Sequence, residues 1–351
     1  MTKTYEYKVT IPELHKDVGA EVAAYVDTLT KPLGSLGRLE SIAIELAEMT
    51  GEKFPTVTPA AAIVFAADHG IVAEGVSAYP QEVTAQMVEN FLQGGAAMNV
   101  LCDEIDALFS IVDVGVATEI ENDALTSKKV GLATRNFYLE NAMTEAEAVQ
   151  ALEIGKEEVQ KMLAQGAKTI IVGEMGIGNT SAASAIIAIV TGKSLMELTG
   201  PGTGLSSEGM EKKAKIISEA IAKRQANPQD ALDILQKVGG YEIAAMAGAM
   251  LEAARNQVPV IVDGLISTAA AIIAKGLNES VTDYMFLGHK SLEPGHESAF
   301  NALGKEPILN LNLHLGEGTG AALAFPLLKS AANILKNMAT FQGAGVSEKS
   351  E

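Results

Sequence analysis

The chain is constrained most by a rhythm of short, largely apolar runs, each closed by glycine or a carboxylate. Residues 61–67 end in Asp68-His69-Gly70, 107–112 in Asp113-Val114-Gly115, and 169–172 in Gly173-Glu174-Met175-Gly176. Residues 258–262 end in Asp263-Gly264, 284–287 in Gly288-His289, and 308–312 lead to Gly316-Glu317-Gly318. A strand with one solvated face alternates apolar and polar residues, whereas these runs lack a polar face and are followed by helix-like stretches. The pattern predicts an α/β fold: a Rossmann-like parallel sheet of about six strands, covered by helices on both sides. In such sheets ligands bind beyond the carboxyl ends of the strands, so the six turns are expected to converge on one site.

Helices flank this core. After Pro12, Leu14, Val18, Val22 and Val26 fall at i+4 steps on one face, and a second helix is expected over 39–49. A Pro/Gly loop, 31–38, separates them. The pair reads equally as a small helical subdomain or as an embellishment of the sheet domain. Further helices are expected at 208–226, 229–238 and 241–254, and a last one after Leu328 towards Met338. First and last helices packing together would make 1–55 and 329–351 a small helical domain beside an α/β domain of 56–328. The polar tail from Gln342 is expected to fray.

With 351 residues and 48% apolar composition the chain has material for a large core, but only 5% is aromatic and Trp is absent. Helix-on-sheet packing through small residues is therefore expected, not an aromatic binding surface. A formal charge of −18 argues against a nucleic-acid partner, which would need a basic face. A phosphorylated substrate must instead be held locally, by backbone amides and one or two cations. Cys102, the single cysteine, excludes an internal disulfide and a cysteine-based metal cluster. No stretch reads as a membrane span and residues 1–9 lack an apolar signal core, so the cytoplasm is the expected compartment.

The turns differ in the chemistry they suit. Gly173 to Ser181 enters a helix that Asn179, Thr180 or Ser181 is placed to cap, and its open start suits a phosphate. A plain tight turn is the other reading. The spacing Gly176-x-Gly178-x-x-Ser181 imitates a dinucleotide fingerprint without its third glycine or its later acid, which disfavours hydride transfer on NAD. Gly200-Pro201-Gly202-Thr203-Gly204, with Lys212, Lys213 and Lys215 behind it, is either a second phosphate loop or a helix connection. Asp68, His69, His289 and His296 match no compact metal signature, and Asp68 and His69 are expected to orient loops. His314 is expected mid-strand, as a core histidine. Residues 76–87 offer an apolar slot from Tyr79, Pro80 and Met87, with Ser77 and Gln86 as polar contacts, or simply lead into a helix. Glu317, held between two glycines at a strand-to-helix turn, is the candidate for the chemistry. Glu174 is either a second functional acid or a brace for its own loop.

Taken in order, these turns resemble the nicotinate-nucleotide–dimethylbenzimidazole phosphoribosyltransferase family. The resemblance is carried by the 31–37 loop, Ala67-Asp68-His69-Gly70-Ile71, Gly75-Val76-Ser77 through Gly94-Gly95-Ala96, and Gly173 through Thr180. It continues through Gly202-Thr203-Gly204-Leu205, Asp263-Gly264, Gly288 through His296, and the Glu317 turn. It implies a two-domain subunit in a homodimer whose partner helps wall the site, with no metal or cofactor. The implied activity transfers phosphoribose from nicotinate mononucleotide to 5,6-dimethylbenzimidazole or a similar base. Nicotinate is released, the anomeric carbon inverts from β to α, and α-ribazole 5′-phosphate forms for the nucleotide loop of cobamides. By the resemblance, Glu317 is the general base and Glu174 a second acid. Gly176, Gly178, Asn179, Thr180, Gly202, Gly204, Lys213, Asp263 and Ser291 surround phosphate and ribose. Ser77, Pro80, Gln86, Met87, Met175 and Leu315 surround the base. The alternatives are the same chemistry with a purine or phenolic acceptor, and a non-catalytic partner subunit on this fold, against which retention of Glu317 counts.

Overall fold

The computed structural model describes residues 7–200 and 204–347. Its strands are β1 (Ala60–Ala67), β2 (Leu108–Gly115), β3 (Thr126–Ser127), β4 (Thr169–Met175), β5 (Val260–Val262), β6 (Met285–His289) and β7 (Pro307–Leu309). They form one sheet in the order β3-β2-β1-β4-β5-β6-β7, every neighbouring pair parallel. Six strands are the apolar runs of the sequence. The seventh, β3, is two polar residues at an edge, with no hydrophobic pattern to announce it.

All eight residues of β1 are buried, as a strand covered on both faces must be. Strand order reverses beside it: β2 and β3 continue one way and β4 to β7 the other. The crevice at such a reversal lies outside the carboxyl ends of β1 and β4. Helices Glu145–Ala164, Tyr241–Arg255 and Leu265–Leu277 cover one face of the sheet; Glu82–Leu92, Ala97–Glu104 and Thr319–Asn337 cover the other. Small residues let these layers touch by backbone. A Cβ on Gly155 would lie 1.8 Å from the Ala245 carbonyl oxygen, and one on Gly248 2.0 Å from that of Leu152.

The chain ends meet. Helix Lys16–Asp27 packs on Arg38–Thr50, which packs on Thr319–Asn337. Phe341 donates its N–H to Thr28 O (3.0 Å) and Thr30 to Ala339 O (3.0 Å). Two sequence expectations change here. The helix entered from the Glu317 turn and the last helix, expected after Leu328, are one continuous helix, Thr319–Asn337, which accepts Pro326 inside it because Ala322, Phe325 and Leu328 stay buried around it. β7 stops at Leu309, so His314 is not a core histidine in mid-strand. It sits exposed in the irregular segment that leads to Gly316.

Among the described residues no helix is long and apolar enough to cross a membrane. Cys102 is buried, and burial pushes its thiol up to about 12.

Candidate active site

The turns after β4, β5 and β6 and the segment after β7 line a cavity of about 520 Å³, walled on another side by Tyr79, Val83 and Met87. Fewer turns converge than the sequence suggests. Asp113, at the end of β2, pairs with Lys129 at 2.6 Å and accepts the N–H groups of Gly115 and Val116 (3.0 and 2.8 Å). Its carboxylate is spent on folding the loop behind it. Asp68, at the end of β1, accepts from Thr84 Oγ1 (2.6 Å) and Ala117 N (2.8 Å), and Thr84 Oγ1 in turn accepts from Ile177 N (3.0 Å). β1 thus braces the turn after β4 without reaching the cavity.

Glu317 occupies an unusual backbone. Its φ is 65°, between Gly316 at 89° and Gly318 at 92°, three successive residues in left-handed territory that an L side chain normally avoids. The turn lies directly on β4, where a Cβ on Gly173 would come within 2.2 Å of the Glu317 carbonyl oxygen. Glu317 N donates to Glu174 Oε1 (3.3 Å). Gly318 N donates to Asp263 Oδ2 (3.1 Å) and Ala321 N to Asp263 Oδ1 (3.0 Å). The Glu317 side chain is 6% exposed, and its Oε2 has no hydrogen-bond partner. Burial, and secondarily the Asp263 charge, push its carboxyl up to about 7. A carboxylate that titrates near neutrality with one unpaired oxygen is matched to taking a proton.

Glu174 differs. It is buried, hydrogen-bonded to Asn179 Nδ2 as well as to Glu317 N, and is pushed up to about 8. Burial is the main cause and the Glu242 charge the next. Near pH 7 it therefore carries its proton, so Glu317 ionises beside a neutral neighbour. Glu242 is itself paired with His69 Nε2 at 2.7 Å, both without exposure.

The opposite end of the cavity suits an anion. Helix Asn179–Thr191 is capped not by Asn179, Thr180 or Ser181 but by Gly178, at φ 100° and with no side-chain bond, so its positive end carries no competing cap. Asn179 is drawn to Glu174 instead, and Thr180 Oγ1 accepts from Lys213 Nζ (2.7 Å). Burial pushes Lys213 down to about 8, against the pull of Glu293. Ser291 N donates to His296 Nδ1 (2.9 Å), and His296, pushed down to about 4 by burial, is neutral. Its proton is therefore on Nε2, donated to Thr268 Oγ1 at 3.0 Å.

Of the residues singled out from sequence, Glu317, Glu174, Gly176, Asn179, Thr180, Gly204, Asp263, Ser291, Tyr79, Met87, Met175 and Leu315 line this one cavity. Gly178 and Lys213 stand one contact behind it. Gly202 lies outside the described residues. Ser77, Pro80 and Gln86 do not line it: Val83 and Met87, four residues apart, turn one helix face inward and leave Gln86 on the exposed face. Pro80 is exposed, and the Ser77 hydroxyl donates to Tyr79 O (3.0 Å). Sequence reasoning missed Val83, His289 and Glu293. It also missed Gly173, although a glycine inside an apolar strand signals close backbone approach. Among the described residues no group of three or more His, Cys, Asp or Glu is placed to hold a metal ion.

A parallel sheet whose strand ends offer an uncapped helix start, a buried lysine and a carboxylate beside apolar side chains suits a phosphorylated substrate, and the class is given by the family model described as Phosphoribosyltransferase, which matches residues 11–346. A nicotinate-nucleotide–dimethylbenzimidazole phosphoribosyltransferase of Halalkalibacterium halodurans is 47% identical over 347 residues, 99% of this chain and 97% of that one. One of Chloroflexus aggregans is 48% identical over 326 residues, 93% of this chain and 92% of that one. The crystal structure of CobT from Thermus thermophilus, 45% identical, superposes with a TM-score of 0.92 over 95% of this chain and 100% of that one. The chain belongs to the nicotinate-nucleotide–dimethylbenzimidazole phosphoribosyltransferase family.

Proposed function

We propose that this chain transfers phosphoribose from nicotinate mononucleotide to 5,6-dimethylbenzimidazole, forming α-ribazole 5′-phosphate and nicotinate for the lower ligand of cobamides. The observation that carries the reading is Glu317: a carboxylate with one unpaired oxygen, titrating near neutrality, fixed on a rigid turn in the cavity. The acceptor lies against Met87, Met175 and Leu315, with Tyr79 and Val83 completing the apolar side. The phosphate lies towards Gly176, Thr180, Gly204 and Ser291, with Lys213 behind Thr180. A ring nitrogen of the acceptor attacks the anomeric carbon on the face opposite nicotinate, which inverts the centre. The glycosidic electron pair returns to the pyridinium nitrogen, so nicotinate leaves uncharged at its ring. The azole N–H proton passes to Glu317. With so good a leaving group, orienting two substrates and removing one proton supplies most of the acceleration.

The terminal helices form a small helical unit beside the sheet in this reading, and the enzyme is a cytoplasmic homodimer. Leu292, Leu311 and Leu315, each more than half exposed on segments joined by the Leu292 N–Leu313 O bond (3.0 Å), support a protein partner at the cavity mouth. The functional test incubates the protein with nicotinate mononucleotide and a panel of benzimidazoles, purines and phenols. Nicotinate release is expected with benzimidazoles, and none with any acceptor refutes the reading. Glu317→Gln is expected to bind both substrates normally while kcat falls by roughly 10²–10⁴; near-normal turnover would remove Glu317 from its role.

A further inference from the structure

Helix Thr319–Asn337 begins with Gly318 and has no side chain of its own to cap it. The missing cap comes from another element. Asp263, directly after β5 and 1% exposed, spends one carboxylate oxygen on Gly318 N (3.1 Å) and the other on Ala321 N (3.0 Å). His289 Nε2, from the end of β6, stands 3.4 Å from Asp263 Oδ1. The ring has no room to leave, since a Cβ on Gly320 would lie 1.9 Å from its Cδ2. The two amides that Asp263 holds bracket the helix entry immediately after Glu317. Glu317 itself makes no side-chain bond that would fix its backbone, and its φ of 65° is one that a non-glycine residue leaves when released.

We infer that Asp263 is a positioning residue for the reaction: by tying Gly318 and Ala321 it holds Glu317 at its working place, and its charge faces the carboxyl it positions. This rests on the functional reading above. Asp263 lines the same cavity, so direct contact with ribose is the competing assignment. Its hydrogen bonds favour positioning, because both oxygens are already taken by backbone amides. The titratable groups facing the turn are Glu174 on β4, Asp263 after β5, His289 on β6, and Glu293 and His314 in the loops, with Glu242 behind Glu174. Of these, Asp263 is the charge that adds to burial in raising Glu317.

The test compares wild type, Asp263→Asn, Glu317→Gln and the double variant under steady-state turnover from pH 5 to 9. Asp263→Asn keeps the shape, loses the charge, and sets an amide donor against a backbone donor. We expect kcat to fall about 100-fold, as for a displacement near 1 Å, with KM for nicotinate mononucleotide changed by less than about threefold. The acid limb of kcat should move to lower pH. The double variant should be no slower than Glu317→Gln, because Asp263 acts through Glu317. A raised KM with kcat retained would make Asp263 a ribose contact, and additive losses would make it independent of Glu317; either overturns the inference. Should Asp263→Asn not fold, Asp263→Glu keeps the charge but displaces it by a methylene. Then kcat should fall with the acid limb unmoved, and wild-type kcat overturns the inference. If wild type releases no nicotinate with any acceptor, the functional reading has failed. Crystal structures of wild type and Asp263→Asn then decide alone whether Asp263 holds the turn: a Glu317 backbone displaced from φ near 65° supports that part of the inference, and an unmoved turn overturns it.

Discussion

Replacing Glu174 by Gln should make the protein resist unfolding better as pH rises. The folded chain holds the Glu174 carboxyl at about 8, against an ordinary 4.5, because burial and then Glu242 oppose its ionisation. In the unfolded chain it ionises near the ordinary value. Between these two values the unfolded state binds fewer protons than the folded one, so stability falls as pH rises. One such group contributes a slope of about 1.4 kcal/mol per pH unit, or up to about 4 kcal/mol between pH 5 and pH 8. Gln is nearly the same shape and keeps an acceptor for Glu317 N, but it has nothing to ionise. For a chain of 351 residues the unfolding entropy is about 0.7 kcal/mol/K, so the gap in midpoint temperature should widen by about 5 °C over that range. Lys213, pushed down to about 8, has the opposite trend, is present in each protein and cancels in the difference; Glu317, which interacts with Glu174, adds a smaller trend of its own. Scanning calorimetry of wild type and variant at pH 5, 6, 7 and 8 measures it. A gap that stays constant with pH would show that Glu174 is not held protonated in the fold.

Two further expectations concern Glu317. Turnover should rise with pH through a single ionisation near 7, the value to which burial and Asp263 push Glu317, and a kcat profile flat from pH 5 to 8 would contradict it. Gly173→Ala would put a methyl group 2.2 Å from the Glu317 carbonyl oxygen, so the turn must lift from β4. We expect kcat to drop by about 100-fold with a normal circular dichroism spectrum, and wild-type kcat would mean that the turn tolerates the shift.

The sheet was legible because a strand covered on both faces is largely apolar: β1 and β5 are wholly so, and β2, β4 and β6 carry apolar runs whose polar members are few, Ser110 and Asp113, Thr169 and Glu174, and His289. β3 was not, because two polar edge residues carry no period. Along the sequence Pro326 is a local stop signal that splits helix Thr319–Asn337 into two pieces, and burial of Phe325 and Leu328 outweighs it. Glu317 stood out from the glycines on either side of it. The support beneath it did not: Asp263 reads as one more strand-end acid, and only the fold shows its two oxygens taken by Gly318 and Ala321. Of the slot expected from Tyr79, Pro80 and Met87 with Ser77 and Gln86, Tyr79 and Met87 line the cavity. Gln86 falls on the exposed side because helix phase, set by how Glu82–Leu92 docks, turns Val83 and Met87 inward, and Ser77 and Pro80 lie in the loop before that helix. Neither the Asp113–Lys129 pair nor the neutral state of His296 has any signature along the chain, because both depend on neighbours distant in sequence.

The left-handed backbone of Glu317 also bears on how such an enzyme can change by selection. An L residue at φ 65° costs roughly 1–2 kcal/mol relative to glycine, and glycines already stand on both sides of it. The substitution that most relaxes this turn, Glu317→Gly, needs a single base change and removes the reactive carboxylate. A library screened only for surviving heat would therefore drift towards inactive chains at this position. Stabilisation has to be sought elsewhere, with turnover retained in the screen.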